Sequence, residues 1–259
     1  MNITILGGTG FVGLSLLNSF AKTDNKITII TRNREKNKKL LVYPNIKLIQ
    51  ADVYNNDDLI QHTKKTDVLI NLIGILNERG HSGKGFRKAH SDLARVILNI
   101  SKENSINRIL QMSALNADSK GPSHYLRTKG EAESYLMTYG KRFANVTIFK
   151  PSVIFGENDS FILRFSKLLD YVPYFFPLAC HDSKFAPVYV ATVIVAVALP
   201  RATVPVLAVT KAFTSAPVAG FITTNVSFTE MLLSTKSGPK VAFNVKVKSV
   251  LFAALLTSL

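Results

Sequence analysis

The sequence contains a single cysteine and no apolar run long enough to cross a membrane. Cys180 has no partner within the chain, so no internal disulfide can form, which is typical of a reducing compartment. The longest apolar runs, Val188–Leu199 and Val250–Leu256, fall short of the roughly 18 residues that a membrane-spanning helix needs. We therefore expect no transmembrane segment. We also expect no signal or transit peptide, because the chain starts directly with a strand-like sequence.

Acidic residues are almost absent from the last part of the chain. Of the 17 acidic residues, only Glu230 lies after Asp182, and the formal net charge of the chain is +15. A basic surface can bind nucleic acid, an anionic cofactor, anionic lipid head groups or an acidic protein. Because no RNA-binding motif with interleaved aromatics and no helix-turn-helix pattern is present, the sequence disfavours nucleic acid as the partner.

Short apolar runs alternate with helix-like segments over the first 155 or so residues. The runs that favour strands are Asn2–Leu6, Lys26–Thr31, Ile46–Ile49, Val68–Ile73, Arg108–Met112 and Val146–Lys150. The segments that favour helices are Phe11–Ala21, Asn55–Lys64, His90–Asn104 and Tyr125–Tyr139. Such alternation with nearly continuous apolar strands is typical of a parallel sheet covered on both faces. We predict an α/β fold, a Rossmann-type doubly wound parallel sheet with helices on both faces.

A glycine-rich turn connects the first strand to the first helix. Its sequence is Gly7-Gly8-Thr9-Gly10-Phe11-Val12-Gly13. Glycines at this spacing allow a tight turn, close approach of a pyrophosphate and close packing of helix on strand. The N-terminus of the helix then offers unpaired N–H groups and positive partial charge to the phosphates. The motif predicts a dinucleotide site, because it follows a strand and opens a helix.

The end of the second strand indicates which dinucleotide is preferred. Domains that bind NAD carry a carboxylate about 20 residues beyond the glycines, whereas this chain has Arg32 between Thr31 and Asn33. A guanidinium can bind a 2′-phosphate through paired, charge-assisted hydrogen bonds. We therefore expect NADP(H) in preference to NAD(H), with Arg32 on the 2′-phosphate. A solvated basic loop is the alternative interpretation of this segment.

Further short motifs follow in order at strand ends and at one helix start. They are Ala51-Asp52-Val53, Asn71-Leu72-Ile73-Gly74, Ser113, Tyr125-Leu126-Arg127-Thr128-Lys129 and Lys150-Pro151-Ser152-Val153. Together they resemble the short-chain dehydrogenase/reductase superfamily in its extended or atypical branch. The resemblance covers roughly residues 1–190.

That resemblance implies a catalytic trio of Ser113, Tyr125 and Lys129. Tyr125 and Lys129 share one helix face at positions i and i+4, so Lys129 is expected to lower the pKa of Tyr125 and to reach the nicotinamide ribose. Without the resemblance, the pair could equally be a surface contact. The cofactor-lining positions that the family implies, beyond the glycine turn, are Asp52, Val53, Leu72, Ile73, Gly74, Tyr125, Lys129, Pro151 and Val153.

Within the superfamily, the motifs look like the NDUFA9-like group, the relatives of the 39-kDa accessory subunit of respiratory complex I. This likeness implies a protein that holds NADPH as an accessory or assembly subunit linked to complex I, located in the cytoplasm and peripheral to the inner face of a respiratory membrane. Its partners would then be the dinucleotide and a respiratory-complex protein or an anionic membrane surface. The alternatives are an active NADP-dependent reductase, epimerase or dehydratase using Ser113, Tyr125 and Lys129, and a regulator that senses NADPH.

We expect a domain boundary after residue 185. Residues 1–185 form the NAD(P)-binding domain in this interpretation, and residues 186–259 form an irregular or poorly folded segment that is either a remnant of a substrate lobe or a diverged or frameshifted tail. Residues 81–88 are expected to form a solvated loop. The five histidines lack metal-ligand spacing, so no metal site is predicted.

Overall fold

The computed structural model describes residues 1–21, 23–159 and 186–198, and a six-stranded parallel sheet lies at its centre. The strands are β1 (Asn2–Leu6), β2 (Lys26–Thr31), β3 (Ile46–Gln50), β4 (Val68–Asn71), β5 (Arg108–Met112) and β6 (Asn145–Phe149). Their order across the sheet is β3-β2-β1-β4-β5-β6, and all neighbours are parallel. This is the doubly wound Rossmann order, so the predicted fold class is confirmed.

Helices connect these strands. The α-helices are α1 (Phe11–Phe20), α2 (Asn56–Thr63), α3 (Lys84–Arg87), α4 (Leu93–Glu103), α5 (His124–Tyr139) and α6 (Val190–Ala198). Short 3-10 helices span Glu35–Val42 and Gly140–Arg142, and a π-helical turn at Lys88–Asp92 joins α3 to α4. A second, two-stranded parallel sheet pairs β7 (Ile154–Phe155) with β8 (Val188–Tyr189). None of the helices among the described residues has both the length and the apolar character needed to cross a bilayer.

Two hydrophobic cores cover the two faces of the six-stranded sheet. On one face, α1, the Glu35–Val42 helix and α6 pack over Ile5 and Ile29. On the other face, α2, α4 and α5 pack over Leu6 and Ile109. Successive side chains of a strand point to opposite faces, so the neighbours Ile5 and Leu6 are both fully buried yet belong to different cores. Helices therefore cover both faces, as predicted.

The fold continues past the domain boundary that we expected after residue 185. β8 extends the small sheet, and α6 buries Val190, Val193, Ile194 and Val197 in the same core as α1. The sequence of this segment did not suggest a helix, because apolar residues occur along all of it rather than on one stripe. Residues 199–259 lie outside the described residues. The prediction of a remnant or frameshifted tail there concerns residues that the structure does not describe.

Two segments for which the sequence did not predict a helix are helical. The basic segment after β2 forms the Glu35–Val42 helix, and the segment expected as a solvated loop at 81–88 becomes helical from Lys84 onward. Both helices lie just beyond the carboxyl ends of strands, where the polar motifs of the sequence also gather. This edge of the sheet is therefore more ordered than the sequence indicated.

Candidate functional site

The turn between β1 and α1 requires glycine at two positions for reasons of conformation and packing. Gly7 has a φ of +79°, which side chains other than glycine rarely adopt, and its carbonyl accepts the N–H of Gly10 at 3.1 Å. A Cβ at Gly13 would lie 2.5 Å from the backbone of Gly8. These two glycines bring the start of α1 directly onto the turn.

Gly10 is different, because no contact among the described residues requires a glycine there. Its φ of −83° and ψ of 176° suit any residue, and a Cβ would have only the Gly7 carbonyl oxygen within 4 Å, at 3.4 Å. Gly10 is also the N-cap of α1 and provides no side-chain cap. Within the part of the chain that the structure describes, a side chain at position 10 would therefore project beside the start of α1. The unpaired first N–H groups of a helix and the positive end of its dipole suit a diphosphate held against the backbone of this turn.

The loop after β4 lies against the glycine turn. A Cβ at Gly7 would be 3.0 Å from the backbone nitrogen of Ile73 and 3.1 Å from the carbonyl carbon of Leu72. The Asn71 carboxamide accepts the N–H of Ile73 at 3.1 Å and fixes this loop at the end of the strand. The structure therefore brings Leu72 and Ile73 together with the glycine turn. Gly74 follows on the exposed side.

Arg32 is exposed at the end of β2 and lies in the electrostatic environment of Tyr54. Burial raises the pKa of Tyr54, Asp52 raises it further, and the Arg32 guanidinium lowers it. The Lys88 ammonium lies 4.6 Å from the centre of the Tyr54 ring. Asp92 also raises the pKa of Tyr54, so a cluster of two cations and two carboxylates surrounds this ring near the carboxyl ends of β2 and β3.

Val53 and Asp52 occupy different environments although they are adjacent in sequence. The Val53 side chain is buried in the core beneath α2 and α4, so only its backbone is available to a ligand. Asp52 is exposed, and its carboxylate accepts the N–H of Tyr54 at 3.1 Å.

Lys129 is buried inside the site. Its ammonium donates to the Met112 carbonyl at 3.0 Å, and a Cβ at Gly74 would lie 3.1 Å from its Nζ. Glycine at position 74 therefore leaves space for the Lys129 side chain. Burial lowers the pKa of Lys129 to about 8, although the nearby Glu133 carboxylate acts in the opposite direction. Lys129 thus joins the end of β5 to the loop after β4.

Tyr125 packs among aromatic rings. Its ring meets His90 edge-on at 5.5 Å and Phe86 at 5.9 Å between centroids. Burial raises the pKa of Tyr125, which is opposite to the lowering that we expected from Lys129. Among the described residues, no hydrogen bond joins the Tyr125 hydroxyl to Ser113 or Lys129. The expected direction was wrong because the Lys129 ammonium is directed toward the Met112 carbonyl instead.

Ser113 is bound to a carboxylate that sequence reasoning did not select. Its hydroxyl makes a short hydrogen bond to one oxygen of Glu133, and Lys150 donates to the other oxygen at 2.9 Å. Lys150 also donates to the Ala117 carbonyl at 3.0 Å. Glu133 lies one helical turn after Lys129, and this spacing is the signal that could have identified it. The result is a partly buried chain of Ser113, Glu133 and Lys150, in which only Ser113 is fully buried.

His90 is a second buried residue beside the site that the sequence did not reveal. It is 2% exposed, its Nδ1 lies 2.9 Å from Thr128 Oγ1, and its Nε2 accepts the N–H of Ile75 at 3.4 Å. Because Thr128 donates its own hydroxyl hydrogen to backbone carbonyls, Nδ1 carries the proton of a neutral ring. Burial, with help from the charge of Lys129, lowers the pKa of His90 to about 3.

An open cleft of about 540 Å³ borders the Tyr125 ring. Phe86, Leu76 and Pro122 supply apolar lining, while His81, Glu78 and Arg127 supply polar lining. The cleft has room for a small molecule beside Tyr125.

Pro151 and Val153 follow β6, and both are half-buried. The Pro151 carbonyl accepts the N–H of Leu115 at 2.7 Å, and the Val153 carbonyl accepts the N–H of Val188 at 2.9 Å. These bonds tie the segment after β6 to the segment after β5 and to β8. Within the described ranges, no cluster of His, Cys, Asp or Glu has the arrangement needed to hold a metal ion.

The fold and the glycine turn together define a dinucleotide-binding Rossmann protein. A family model described as NAD(P)H-binding matches residues 7–160, which is more than half of the chain. The chain therefore belongs to this NAD(P)H-binding family, and its cofactor is a nicotinamide dinucleotide.

Curated relatives carry the name of a respiratory-chain subunit. The chain is 27% identical over 199 residues to NADH dehydrogenase [ubiquinone] 1 alpha subcomplex subunit 9, mitochondrial, of Arabidopsis thaliana, covering 75% of this chain and 48% of the relative. It is 28% identical over 196 residues to the Mus musculus protein of the same name, covering 73% and 50%. The chain thus spans about half the length of these relatives. The resemblance inferred from the motifs is confirmed.

Among solved structures, the dTDP-glucose 4,6-dehydratase of Streptomyces venezuelae, solved with NAD bound, is similar in fold. Its TM-score is 0.60 at 16% identity, covering 77% of this chain and 71% of that chain. This likeness supports the Rossmann-type fold of the superfamily.

Proposed function

We propose that this protein holds NADPH as an accessory or assembly subunit linked to respiratory complex I. The relatives named above are subunits of NADH dehydrogenase by name, and the NAD(P)H-binding family model matches residues 7–160 of this chain. We further propose that it acts in the cytoplasm, at the inner face of a respiratory membrane, where a basic surface can meet acidic protein or anionic lipid.

The observation that carries this proposal is the hydrogen bond from Ser113 to Glu133. A serine that donates its proton to a carboxylate has no proton left to donate to a substrate carbonyl. Lys150 donates to the other oxygen of Glu133 and so holds the carboxylate next to Ser113. A bound nicotinamide dinucleotide would supply hydride chemistry. The arrangement of Ser113, Glu133 and Lys150 instead favours a protein that binds the cofactor without oxidising or reducing it.

The preference for NADPH over NADH is supported by Arg32. Its guanidinium is exposed at the carboxyl end of β2, and Lys88 adds a second cation across the Tyr54 ring. Asp52 and Asp92 lie near the same ring, but Asp52 is tied to the backbone N–H of Tyr54 and Asp92 pairs with Arg95 at 3.6 Å. Two cations near this edge favour a 2′-phosphate through charge-assisted hydrogen bonds.

The proposal is tested by identifying the cofactor in purified full-length protein. We expect NADPH to copurify, to exchange slowly with added nucleotide and to remain unoxidised when aldehydes, ketones or sugar nucleotides are supplied. Mass spectrometry of the released nucleotide and NADPH absorbance measure both properties. Steady oxidation of NADPH by any of these compounds would contradict the holding function.

The cofactor preference has its own test in Arg32→Asp. Replacing the guanidinium with a carboxylate should lower NADPH affinity by about tenfold or more, because a bond between charged groups contributes roughly 1.5–3 kcal/mol. NADH affinity should fall far less. Lys65→Asp makes the same charge change on the exposed end of α2 and should leave the ratio of the two affinities unchanged. An unchanged ratio in Arg32→Asp would remove Arg32 from this role.

An active NADP-dependent reductase, epimerase or dehydratase is the second candidate. The observation that favours it is the position of Tyr125 beside the 540 Å³ cleft. If the protein turns over a small molecule, Tyr125→Phe should abolish that activity while NADPH still binds. Activity that survives in Tyr125→Phe would exclude Tyr125 as the acid or base of such a reaction.

A further inference from the structure

The 3-10 helix Glu35–Val42 presents three distinct rows of side chains. In a 3-10 helix, residues three apart lie above one another. The inner row is held to the protein. Leu40 is 5% exposed in the core, and Asn37 donates to the Asn33 carbonyl. Arg34, the exposed residue that caps the helix, donates to the Leu48 carbonyl. The side chains of the other two rows therefore point toward solvent. Their exposure follows from the anchoring of the inner row.

The outer rows combine lysines with aliphatic side chains. One row places Lys36 and Lys39 in line with Val42, and the other places Lys38 in line with Leu41. All three lysines are exposed, Val42 is 81% exposed and Leu41 is 42% exposed. We call these five side chains the basic aliphatic ridge.

The charge around the ridge is strongly one-sided. Between residues 26 and 50 the chain has seven basic residues and one acidic residue, Glu35. Glu35 lies 3.9 Å from Lys38 and 3.7 Å from Arg34, so it is shared between two cations. Lys36 and Lys39 have no carboxylate within ion-pair distance among the described residues. The ridge therefore carries net positive charge next to exposed apolar surface.

We propose that the basic aliphatic ridge docks the protein onto an anionic lipid bilayer. Lysines attract anionic head groups, and adjacent aliphatic side chains enter the boundary between head groups and acyl chains. A nucleic acid would be matched by the lysines but not by Leu41 and Val42, and the ridge carries no aromatic ring on which bases stack. The inference deepens the proposed location at a respiratory membrane and rests on that part of the proposed function.

The experiment measures flotation of the full chain with vesicles of phosphatidylcholine, alone or mixed with phosphatidylglycerol. We expect binding only to the mixed vesicles, and we expect it to weaken as salt is raised. The triple variant Lys36→Gln, Lys38→Gln, Lys39→Gln should bind about a hundredfold more weakly, since each lysine near an anionic surface contributes about 1 kcal/mol, or about fivefold. The matched control changes Lys64, Lys65 and Lys102 to Gln and should bind like the wild type.

A second variant separates lipid from other polyanions. Leu41→Ser with Val42→Ser keeps every charge and should weaken vesicle binding by about tenfold, because apolar burial contributes roughly 0.8 kcal/mol per CH₂. Phe143→Ser, which alters another exposed apolar side chain, is its control. NADPH affinity is measured on every variant and should not change, so failure of membrane docking is distinguished from failure of the cofactor site. Equal binding to neutral vesicles, equal loss in the control variants or no effect of the aliphatic substitutions would overturn the proposal.

Discussion

At the residue scale, one residue type performs two tasks in the glycine turn. Gly13 is required by packing, because a Cβ there would collide with the Gly8 backbone, whereas Gly10 borders open space. The spacing of the motif predicted a dinucleotide turn, because strand, glycines and helix follow one another without a gap. The division between a packing glycine and a ligand-facing glycine depends on distances, which spacing does not contain.

The contacts of Ser113 and Lys129 could not be predicted from the sequence, although the spacing of Glu133 from Lys129 marks Glu133 as a candidate. Ser113 and Glu133 are 20 residues apart and belong to different elements, and Lys150 comes from the end of a third. Nothing local links them, because the contact arises only when β5, α5 and β6 pack together. The expected effect of Lys129 on Tyr125 failed for the same reason, since helical spacing does not show where an ammonium points.

His90 makes the stability of the protein depend on pH. Its pKa is about 3 in the folded protein and about 6.5 when exposed. The unfolded chain therefore binds more protons between these values, and the free energy of unfolding falls as pH decreases from about 6.5 toward 3. The titration of His90 changes the free energy of unfolding by up to about 1.4 kcal/mol per pH unit.

Denaturant unfolding of His90→Gln at several pH values tests this slope. The glutamine retains an acceptor for the Ile75 N–H but no titrating ring, so stability should change less with pH than in the wild type. His81→Gln removes an exposed histidine and should keep the wild-type dependence. A slope in His90→Gln equal to that of the wild type would show that His90 is not the source.

At the scale of secondary-structure elements, side chains near the ends of strands determine where some strands end and helices begin. The apolar run at 68–73 predicted a strand to Ile73, yet β4 ends at Asn71, whose carboxamide captures the Ile73 N–H. The Glu35–Val42 helix is likewise stabilised by Asn33, which accepts the Lys36 N–H at 2.9 Å. Asparagine side chains compete in this way with regular backbone bonding.

The sequence predicted a helix from His90, but helical structure already begins at Lys84 with α3. A side chain several residues upstream causes this earlier start. The Glu78 carboxylate accepts the N–H groups of Gly83, Gly85 and Phe86, at 2.6, 2.8 and 3.4 Å. It therefore satisfies the start of α3 from outside the helix. Local capping motifs do not cover a carboxylate five to eight residues upstream, so this helix could not be predicted.

α6 gives a direct test of how far the folded domain extends. Ile194 is 7% exposed in the core beside α1, so Ile194→Ala should lower the free energy of unfolding by about 2–4 kcal/mol. Thr192→Ala changes an exposed residue of the same helix and should alter stability by less than about 0.5 kcal/mol. Denaturant unfolding measures both. Equal, small effects would mean that α6 does not stabilise the domain.

At the scale of the whole molecule, the sequence allowed the doubly wound order of the strands to be predicted. It did not determine the function of the protein. Six apolar strands, alternating helices and a glycine turn leave few topologies other than the doubly wound sheet. The fold hosts many activities, so the role depends on particular side chains and on relatives. Those relatives are about twice as long as the matched segment. The net charge of +15 indicated an anionic partner, and the geometry at residues 35–42 is the basis of the membrane-binding surface that we propose.

The most direct test of the whole account compares NADPH binding by the wild-type chain and by Gly10→Val in a calorimetric titration. The backbone at Gly10 suits valine, so the free energy of unfolding without ligand should stay within about 1 kcal/mol of the wild type. The new side chain would occupy the space in front of α1, so NADPH affinity should fall by at least about tenfold, or about 1.4 kcal/mol. If Gly10→Val binds NADPH as tightly as the wild type, or the wild type does not bind it, the dinucleotide does not lie at this turn.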